Sequence, residues 1–293
     1  MNTKTFFFPV TLFTSTWLSG QVSHQKNLEA LIAAENKFAG LAETTNFRNG
    51  FLQNLDSTGV VFNGAEPVNG ISFYKKLPDN NELLFKWYPV YAELAGTGDI
   101  GFTSGPYIII SNKNKDTIAG GKYFSIWKKN KEGIFKVLLD GGVNDTSYLS
   151  ALFGKIQPAT AAGTGKITAG NTPAGSKLFI TAEKEFVELA SIDLLKAYEK
   201  FMAKQAYLLR PDMVTGTNKI TNLETLSKTN TKSRSFDKKG SYNTAGNSFY
   251  CNYGTAKMVN KVNGKDQKGY FVQIWQYQPE GWKIIADVLQ PVE

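Results

Sequence analysis

One carboxylate of the sequence lies in the middle of an apolar helical stripe. Leu31, Glu35 and Phe38 fall at helical spacing, so the face that carries them is predicted to pack on a core. A carboxylate buried there must find a partner or have its pKa raised. Glu35 is therefore either a general base in a pocket or a structural group bonded to the backbone or to a cation such as Arg48. Glu183 repeats this pattern in the second half of the chain.

A second carboxylate, Asp140, ends the last predicted strand of the first half. It follows Leu138 by two residues, so the two side chains are predicted to share a face of the strand. Turned inward, Asp140 would orient a ligand hydroxyl or transfer protons; turned outward, it would be a solvated strand end. Asp287 follows Ile285 in the same way at the end of the second half.

The scarcity of histidine and cysteine excludes several kinds of site. The single histidine, His24, is predicted to lie in a frayed terminus, and the single cysteine, Cys251, is predicted to be a buried strand residue. A Ser-His-Asp triad, a Cys-His dyad, a zinc site of the usual ligand types and an intrachain disulfide all need more of these residues. The chain also has no GxxxxGK[ST] phosphate loop. We therefore expect no metal and no cofactor, while carboxylate or tyrosine acid-base chemistry stays open.

Aromatic residues are frequent in the predicted strands of both halves. They would form the walls of a ligand pocket, or they are the ordinary packing of a sheet core. The candidates for ligand binding in the first half are Trp87, Tyr88, Tyr91, Phe102, Tyr107 and Trp127. Their counterparts in the second half are Tyr250, Tyr253 and Trp275.

The two halves of the chain resemble each other. The segment 34–42, with its Ala-Glu-x-x-Phe pattern, recurs at 182–190, and the segment 121–127, which ends in Ile-Trp, recurs at 269–275. Both pairs are offset by 148 positions. Matches at both ends of a unit of this length indicate two duplicated domains, since the repeats of solenoid proteins are only about 20–50 residues long.

The order of patterns within the first half predicts the fold class. Helical periodicity over 28–42 and 47–55 comes first, and strand-like runs follow. These runs are 60–62, 83–94, 100–110, 122–128 and 135–140, with a turn at 67–70. Helices followed by an antiparallel meander predict an α+β domain in which the helices pack on one face of a curved sheet.

These motifs resemble a known family. The Ala-Glu-x-x-Phe helix, the Pro-Val-Asn-Gly segment at 67–70, the Gly-Asp-Ile-Gly-Phe-Thr-Ser-Gly-Pro run at 98–106 and the Tyr-Phe-Ser-Ile-Trp-Lys-Lys strand at 123–129 are similar to the SnoaL-like branch of the nuclear transport factor 2-like superfamily. The resemblance covers about 28–143 and, less completely, 178–289. It implies two tandem cone-shaped, cystatin-like α+β domains, each with one apolar pocket.

The resulting domain organisation has four segments. Residues 1–20 read as a signal peptide, because Lys4 precedes an apolar run and small residues precede Gln21. The alternative, a membrane anchor, needs a longer apolar stretch than this one. The remaining segments are a first domain at 27–145, a Gly/Ala/Thr/Pro linker at 146–177 and a second domain at 178–293. We therefore expect an exported protein, periplasmic or extracellular, without a membrane span.

Charge separates the two halves. Residues 21–150 carry 13 basic and 13 acidic side chains, whereas residues 151–293 carry 19 and 12, an excess of +7 in the second half. Much of this excess lies at 219–239, which is either a solvated loop or a surface for polyanions. Aromatic residues are too sparse in that stretch to suggest base stacking, so no nucleic-acid partner is expected.

Two classes of function remain. The first is an exported binding or interaction protein that holds a small apolar or sugar-like ligand, and the absence of a familiar catalytic set favours it. The second is a lyase or isomerase that uses Glu35 or Asp140 as an acid or base. Convergence of these two carboxylates on one cavity would favour the enzyme. A further expectation is that the two domains pair within the chain, as cones of this family often do between chains.

Overall fold

A computed structural model describes residues 15–150, 152–160, 175–244 and 246–292 of the chain. It contains two separate sheets, and helices precede each of them in the sequence. The protein is therefore an α+β protein with two domains. Residues 1–14 of the predicted signal peptide lie outside the described residues, as do residues 161–174 of the predicted linker.

The first domain begins with helices and continues as a seven-stranded sheet. Its elements are α1 (Ser15–Thr44), α2 (Phe47–Asn54), β1 (Leu55–Asn63), β2 (Glu66–Asn69), α3 (Gly70–Lys75), β3 (Leu83–Trp87), β4 (Tyr91–Leu94), β5 (Ile100–Ser111), β6 (Thr117–Lys129) and β7 (Phe135–Asn144). The strands lie in the order β2-β1-β7-β6-β5-β3, and β4 also pairs with β5. Only the β1–β7 pair is parallel among these strands.

The second domain repeats this connectivity with fewer strands. Its elements are α5 (Gly175–Ile192), α6 (Leu194–Phe201), β8 (Met202–Leu209), α7 (Lys219–Lys228), β9 (Thr231–Asn243), β10 (Phe249–Asn260), β11 (Asp266–Gln278) and β12 (Gly281–Val292), and a short helix α4 (Ser147–Ser150) precedes them. The strand order is β8-β12-β11-β10-β9, with β8 parallel to β12. The central strands β12-β11-β10 therefore correspond to β7-β6-β5.

The apolar stripe of α1 packs on the concave face of the first sheet, as its periodicity predicts. Leu31 and Phe38 are almost fully buried. The Phe38 ring meets the rings of Trp87 and Trp127 edge to face, with centroids 4.8 and 6.1 Å away. Since aromatic edge-to-face pairs add to the free energy of burial, these three rings tie the helix to the sheet.

Two predicted local structures differ from the observed ones. The strand predicted at 83–94 is divided into β3 and β4, because Pro89 offers no backbone N–H for the ladder and pairing resumes only when Val90 N–H donates to the Ser104 carbonyl. The turn predicted at 67–70 is instead strand β2 followed by a helix cap. The Asn69 side chain accepts a hydrogen bond from the Ser72 N–H and so begins α3.

Three other segments are more ordered than the sequence suggests. The basic stretch 219–239, for which the sequence allows a solvated loop or a surface for polyanions, forms α7 and most of β9, and its Arg234 is only 2% exposed. His24 lies half-buried within α1 rather than in a frayed end. The first part of the predicted linker packs on the first domain, where the Ala159 N–H donates to the Pro89 carbonyl.

The opposite face of the first sheet contacts the second domain. The Tyr207 ring of β8 lies 4.5 Å from the Tyr91 ring and 6.1 Å from the Phe102 ring, and its hydroxyl donates to the Ser104 hydroxyl. Buried apolar residues from both domains form one continuous cluster there. The described residues of the two domains thus share a core as well as having their own.

Candidate functional site

A cavity of about 210 Å³ opens on the concave face of the first sheet. Its walls are mainly aromatic and apolar, and one ionisable carboxylate, Asp140, reaches it. The lining residues are Phe85, Trp87, Tyr107, Ile109, Tyr123, Asp140, Gly141, Gly142, Asn144 and Tyr270. Tyr270 comes from β11 of the second domain, so both domains contribute to this cavity.

Asp140 reaches the cavity because β7 contains a bulge. The pairing of β6 with β7 shifts between Ile126 and Trp127, so that Trp127 lies opposite Val137 and Ser125 lies opposite Asp140. Leu138 is the extra residue. It joins the cluster between the domains, whereas Asp140 faces the cavity. The prediction that Leu138 and Asp140 share a face is therefore wrong, since a bulge resets the alternation of a strand.

The environment of Asp140 raises the pKa of its carboxyl. Burial raises the pKa of Asp140 to about 7; the nearby Glu35 carboxylate also raises it, while the hydrogen bond from Ser125 opposes the shift. The Ser125 hydroxyl donates to Oδ2 of Asp140 over 2.6 Å. An acid in a cavity with a pKa close to 7 changes its protonation state within the physiological range.

Glu35 is completely buried and fully engaged. Its Oε1 accepts a hydrogen bond from Trp87 Nε1 at 2.6 Å, and its Oε2 accepts from the Thr103 hydroxyl at 2.5 Å and from Trp127 Nε1 at 3.0 Å. Burial raises the pKa of Glu35, and the three donors act against that rise. Arg48, the partner expected from the sequence, pairs with Asp79 instead. Glu35 does not line the cavity, so the two candidate carboxylates do not converge on it.

Polar residues nevertheless cross the concave face in a single row, which we call the first row: Thr103, Ser125 and Asp140. Thr103 lies opposite Ser125 in the β5–β6 ladder, and Ser125 lies opposite Asp140 in the β6–β7 ladder. Thr103 bonds Glu35 at one end, and Ser125 bonds Asp140 at the other. Neighbours across a ladder are only about 5 Å apart, which explains how the charge of Glu35 acts on Asp140.

The second domain contains the corresponding row, the second row: Asn252, Gln273 and Asp287. These residues are paired across β10, β11 and β12 in the same manner. The Asn252 amide donates to Glu183 over 2.6 Å, and the Gln273 amide donates to Asp287 over 2.6 Å. A register shift recurs between Ile274 and Trp275. Both the hydrogen bonds and the bulge of the first row are thus repeated with different donors.

The surroundings of the second row differ because they contain cations. Arg210 bonds the Asp287 carboxylate, and the Arg234 guanidinium lies 3.9 Å from it. The Tyr198 hydroxyl donates to Asp287 at 2.8 Å and accepts from Arg234 at 2.8 Å. Asp287, Arg210 and Arg234 are 1%, 4% and 2% exposed, so this is a buried ionic cluster. Glu183 forms an ion pair with Lys238, unlike Glu35, and Trp275 Nε1 has no hydrogen-bond partner within the described chain.

The six aromatic candidates occupy different places. Trp87 and Tyr107 line the cavity, and Trp127 is buried against Glu35. Tyr91 and Phe102 lie on the opposite face of the sheet, against Tyr207. Tyr88 lies beside Phe153 and its hydroxyl accepts a hydrogen bond from the Gly154 N–H. Residue type alone does not reveal the face of the sheet, which depends on the register of each strand.

Sequence reasoning missed three aromatic residues of the cavity: Phe85, Tyr123 and Tyr270. Tyr123 is 7% exposed, and its hydroxyl makes no hydrogen bond of ordinary geometry within the described residues. Tyr270 donates to the Gly142 carbonyl over 2.6 Å and stacks on Phe62 with ring centroids 3.9 Å apart. The alternation of β6 around Trp127 could have indicated Tyr123, but no local signal indicates a residue from the other domain.

Three further features of the described part of the chain concern its thiol, metal-binding groups and helices. Cys251 is buried as predicted, and burial raises the pKa of its thiol, which disfavours the reactive thiolate. Within the described ranges no group of three His, Cys, Asp or Glu side chains could hold a metal ion. No helix among the described residues is both long and apolar enough to cross a membrane.

Comparison with known proteins gives a likeness in fold. No protein-family model and no curated protein matches the sequence. A nuclear transport factor 2-like protein of Cytophaga hutchinsonii is similar at 14% identity and a TM-score of 0.33, over 40% of this chain and 97% of that one. A nuclear transport factor 2-like protein of unknown function in nutrient uptake from Rhodospirillum rubrum is similar at 21% identity and a TM-score of 0.33, over 39% and 98%.

A third solved structure, a protein of unknown function with a cystatin-like fold from Nostoc punctiforme, is similar at 10% identity and a TM-score of 0.32, over 42% of this chain and 95% of that one. At such identities a likeness concerns the fold alone.

Proposed function

We propose that the protein binds a small molecule in the cavity of its first domain, with Asp140 as the polar anchor. The observation that carries this proposal is the contrast between the two rows. Asp287 is enclosed by two guanidinium groups, whereas Asp140 faces open space and none of the described residues lining its cavity is basic. An aromatic-walled cavity with one polar group is a common form of ligand site.

Filling the cavity tests this function. Replacing Ile109 by Trp places an indole in a space of about 210 Å³ and should abolish binding of the neutral probe benzyl alcohol, measured by ligand-observed NMR. Ile118→Trp is the matched control, since Ile118 lies on the neighbouring strand and is 52% exposed. Equal saturation transfer from the wild type and both variants would show that the cavity is not the binding site.

A second candidate is a lyase or isomerase of the SnoaL-like kind. The observation in its favour is the acid with a pKa of about 7 in an aromatic cavity, since general acid-base catalysis works best with such a group. The complete engagement of Glu35 leaves this enzyme only one carboxylate in the cavity. We therefore favour binding as the primary role, and proton exchange at the α-carbon of a bound ketone, followed by NMR, would support the enzyme instead.

We also propose that the second domain acts as a built-in partner of the first. Lys122 of β6 and Tyr270 of β11 occupy corresponding positions, and each reaches across to the other domain. Lys122 Nζ donates to the Met213 carbonyl, and the Tyr270 hydroxyl donates to the Gly142 carbonyl. Such reciprocal contacts are typical of two-fold dimers. Sedimentation should show a monomer of the chain, whereas a stable dimer would argue that the pairing occurs between chains.

A further inference from the structure

We propose that the ligand of the first-domain cavity is a small organic cation, an amine or guanidine carried on an apolar group. This inference rests on the proposed binding function and adds the chemical class of the ligand.

The walls of the cavity suit a cation. Five aromatic residues line the cavity together with Asp140, namely Phe85, Trp87, Tyr107, Tyr123 and Tyr270. Aromatic faces attract ammonium and guanidinium groups, and cages of aromatic side chains are the usual means by which proteins bind them. The buried hydroxyl of Tyr123, which lacks an ordinary hydrogen bond within the described residues, offers an acceptor for an N–H donor.

The charge of the cavity also suits a cation. Glu35 and Asp140 are the two carboxylates of this face, and neither has a basic partner among the described contacts. The lining residues include no lysine or arginine. The ionised form of Asp140 would therefore attract a bound cation and repel a bound anion, with no basic lining residue to offset it.

The second domain has a cation at the position of a residue that lines the first-domain cavity. Arg234 lies opposite Met258 in the β9–β10 ladder, as Phe85 lies opposite Ile109 in the β3–β5 ladder. Met258 and Ile109 correspond, because each lies six residues after the first member of its row, Asn252 or Thr103. The guanidinium of Arg234 thus lies where the first domain has a cavity-lining ring.

The Arg234 guanidinium is held in the way proposed for the ligand. Its carbon lies 5.9 Å from the centroid of the Tyr198 ring and 5.7 Å from that of Phe236, and it approaches Asp287. The second domain therefore combines an aspartate at the end of a polar row with aromatic rings near a cation, and that cation is a side chain of the protein itself. In the first domain the same aspartate position has no cation of its own.

Matched probes test the charge preference. Benzylamine and benzylguanidine, both cationic at neutral pH, should bind the full-length protein roughly tenfold more tightly than the neutral benzyl alcohol by titration calorimetry, since one factor of ten corresponds to about 1.4 kcal/mol. Asp140→Asn should remove most of this preference, so that the cationic and neutral probes bind the variant with similar affinities. The exposed Glu132→Gln removes the same charge from the domain surface and should preserve it.

Proton release gives an independent test in the wild type. A cation favours the ionised form of Asp140, so its binding should release protons and tighten as the pH rises through about 7. The groups facing Asp140 are Glu35, Ser125, Tyr74, Tyr107, Tyr123 and Tyr270. Burial raises the pKa of each of these tyrosines, to about 12 for Tyr107, so they stay neutral in this range. Proton release measured with the Asp140→Asn variant shows whether Asp140 or Glu35 is the group that loses the proton.

The binding results for the three probes test the cationic ligand and the binding cavity separately. Equal or tighter binding of benzyl alcohol would overturn the cationic ligand while leaving a binding cavity. A preference for cations that survives Asp140→Asn would also overturn it. Failure of all three probes to bind would contradict both proposals.

Discussion

Replacing Asp287 by Asn should destabilise the protein by about 3–5 kcal/mol, measured by chemical denaturation at neutral pH. The change is nearly isosteric, but it leaves the Arg210 and Arg234 guanidinium groups buried without their counter-ion. Their side chains are 5% and 2% exposed, so water cannot replace the lost carboxylate. The cost of an unpaired buried charge is far larger than the worth of a surface ion pair.

The corresponding change in the first domain is the control. Asp140→Asn removes a carboxylate that has no basic partner, and the Asn carbonyl can still accept from Ser125. Because the pKa of Asp140 is raised to about 7 in the folded protein, its protonation stabilises the fold at low pH, and this contribution is lost as the pH rises from about 4 to about 7. The stability of the Asp140→Asn variant should therefore not show this decrease between about pH 4 and pH 7. Equal destabilisation by both substitutions would contradict the difference between the two rows.

Glu35→Ala should destabilise the first domain by about 3–5 kcal/mol. The variant leaves the indole N–H of Trp87 and the Thr103 hydroxyl without their acceptor, and each unsatisfied buried group costs about 1–3 kcal/mol. The Trp127 indole loses one of two acceptors, since its N–H also donates to the Thr103 hydroxyl over 3.0 Å. The cavity left by the side chain adds to this cost. Denaturation followed by tryptophan fluorescence would measure it.

Glu183→Ala is the matched substitution in the second domain and should cost less. The Glu183 side chain is 16% exposed and pairs with Lys238, which is 42% exposed and can be solvated, so the buried Asn252 amide is the one partner that loses an acceptor shielded from water. Surface pairs of this kind contribute about 0–1 kcal/mol. If Glu183→Ala proved as damaging as Glu35→Ala, the helical glutamates would have the same structural role in both domains.

The elements of the fold follow from local sequence patterns, whereas the face of each site residue does not. Alternation and helical spacing predict α1, α2 and the closing strands, because these patterns depend on neighbours along the chain. Asp140 illustrates the limit. Its inward orientation depends on the bulge at Leu138, and the same bulge at Ile285 orients Asp287. Nothing in the residue types around Leu138 signals the extra residue.

The partners of the buried charges also cannot be predicted from the sequence. Glu35 was predicted to need a partner, which burial requires, but the donors are two indoles and a hydroxyl from three different strands. Arg234 lies in a stretch whose composition indicates a solvated surface. It is nevertheless buried, beside the carboxylate of Asp287, which lies 53 positions later in the sequence. Such pairings depend on which strands are brought together by the sheet.

The pKa of the Asp140 carboxyl tests the central claim most directly. The proposed site is a first-domain cavity whose only lining carboxylate, Asp140, is half-buried, faces aromatic walls and lacks a basic partner among the described residues. A carbon-detected NMR titration of the side-chain carboxyls, with Asp140→Asn used to assign the resonance, should show Asp140 titrating near pH 7. Titration near pH 4, the value of a solvated aspartate, would contradict the account.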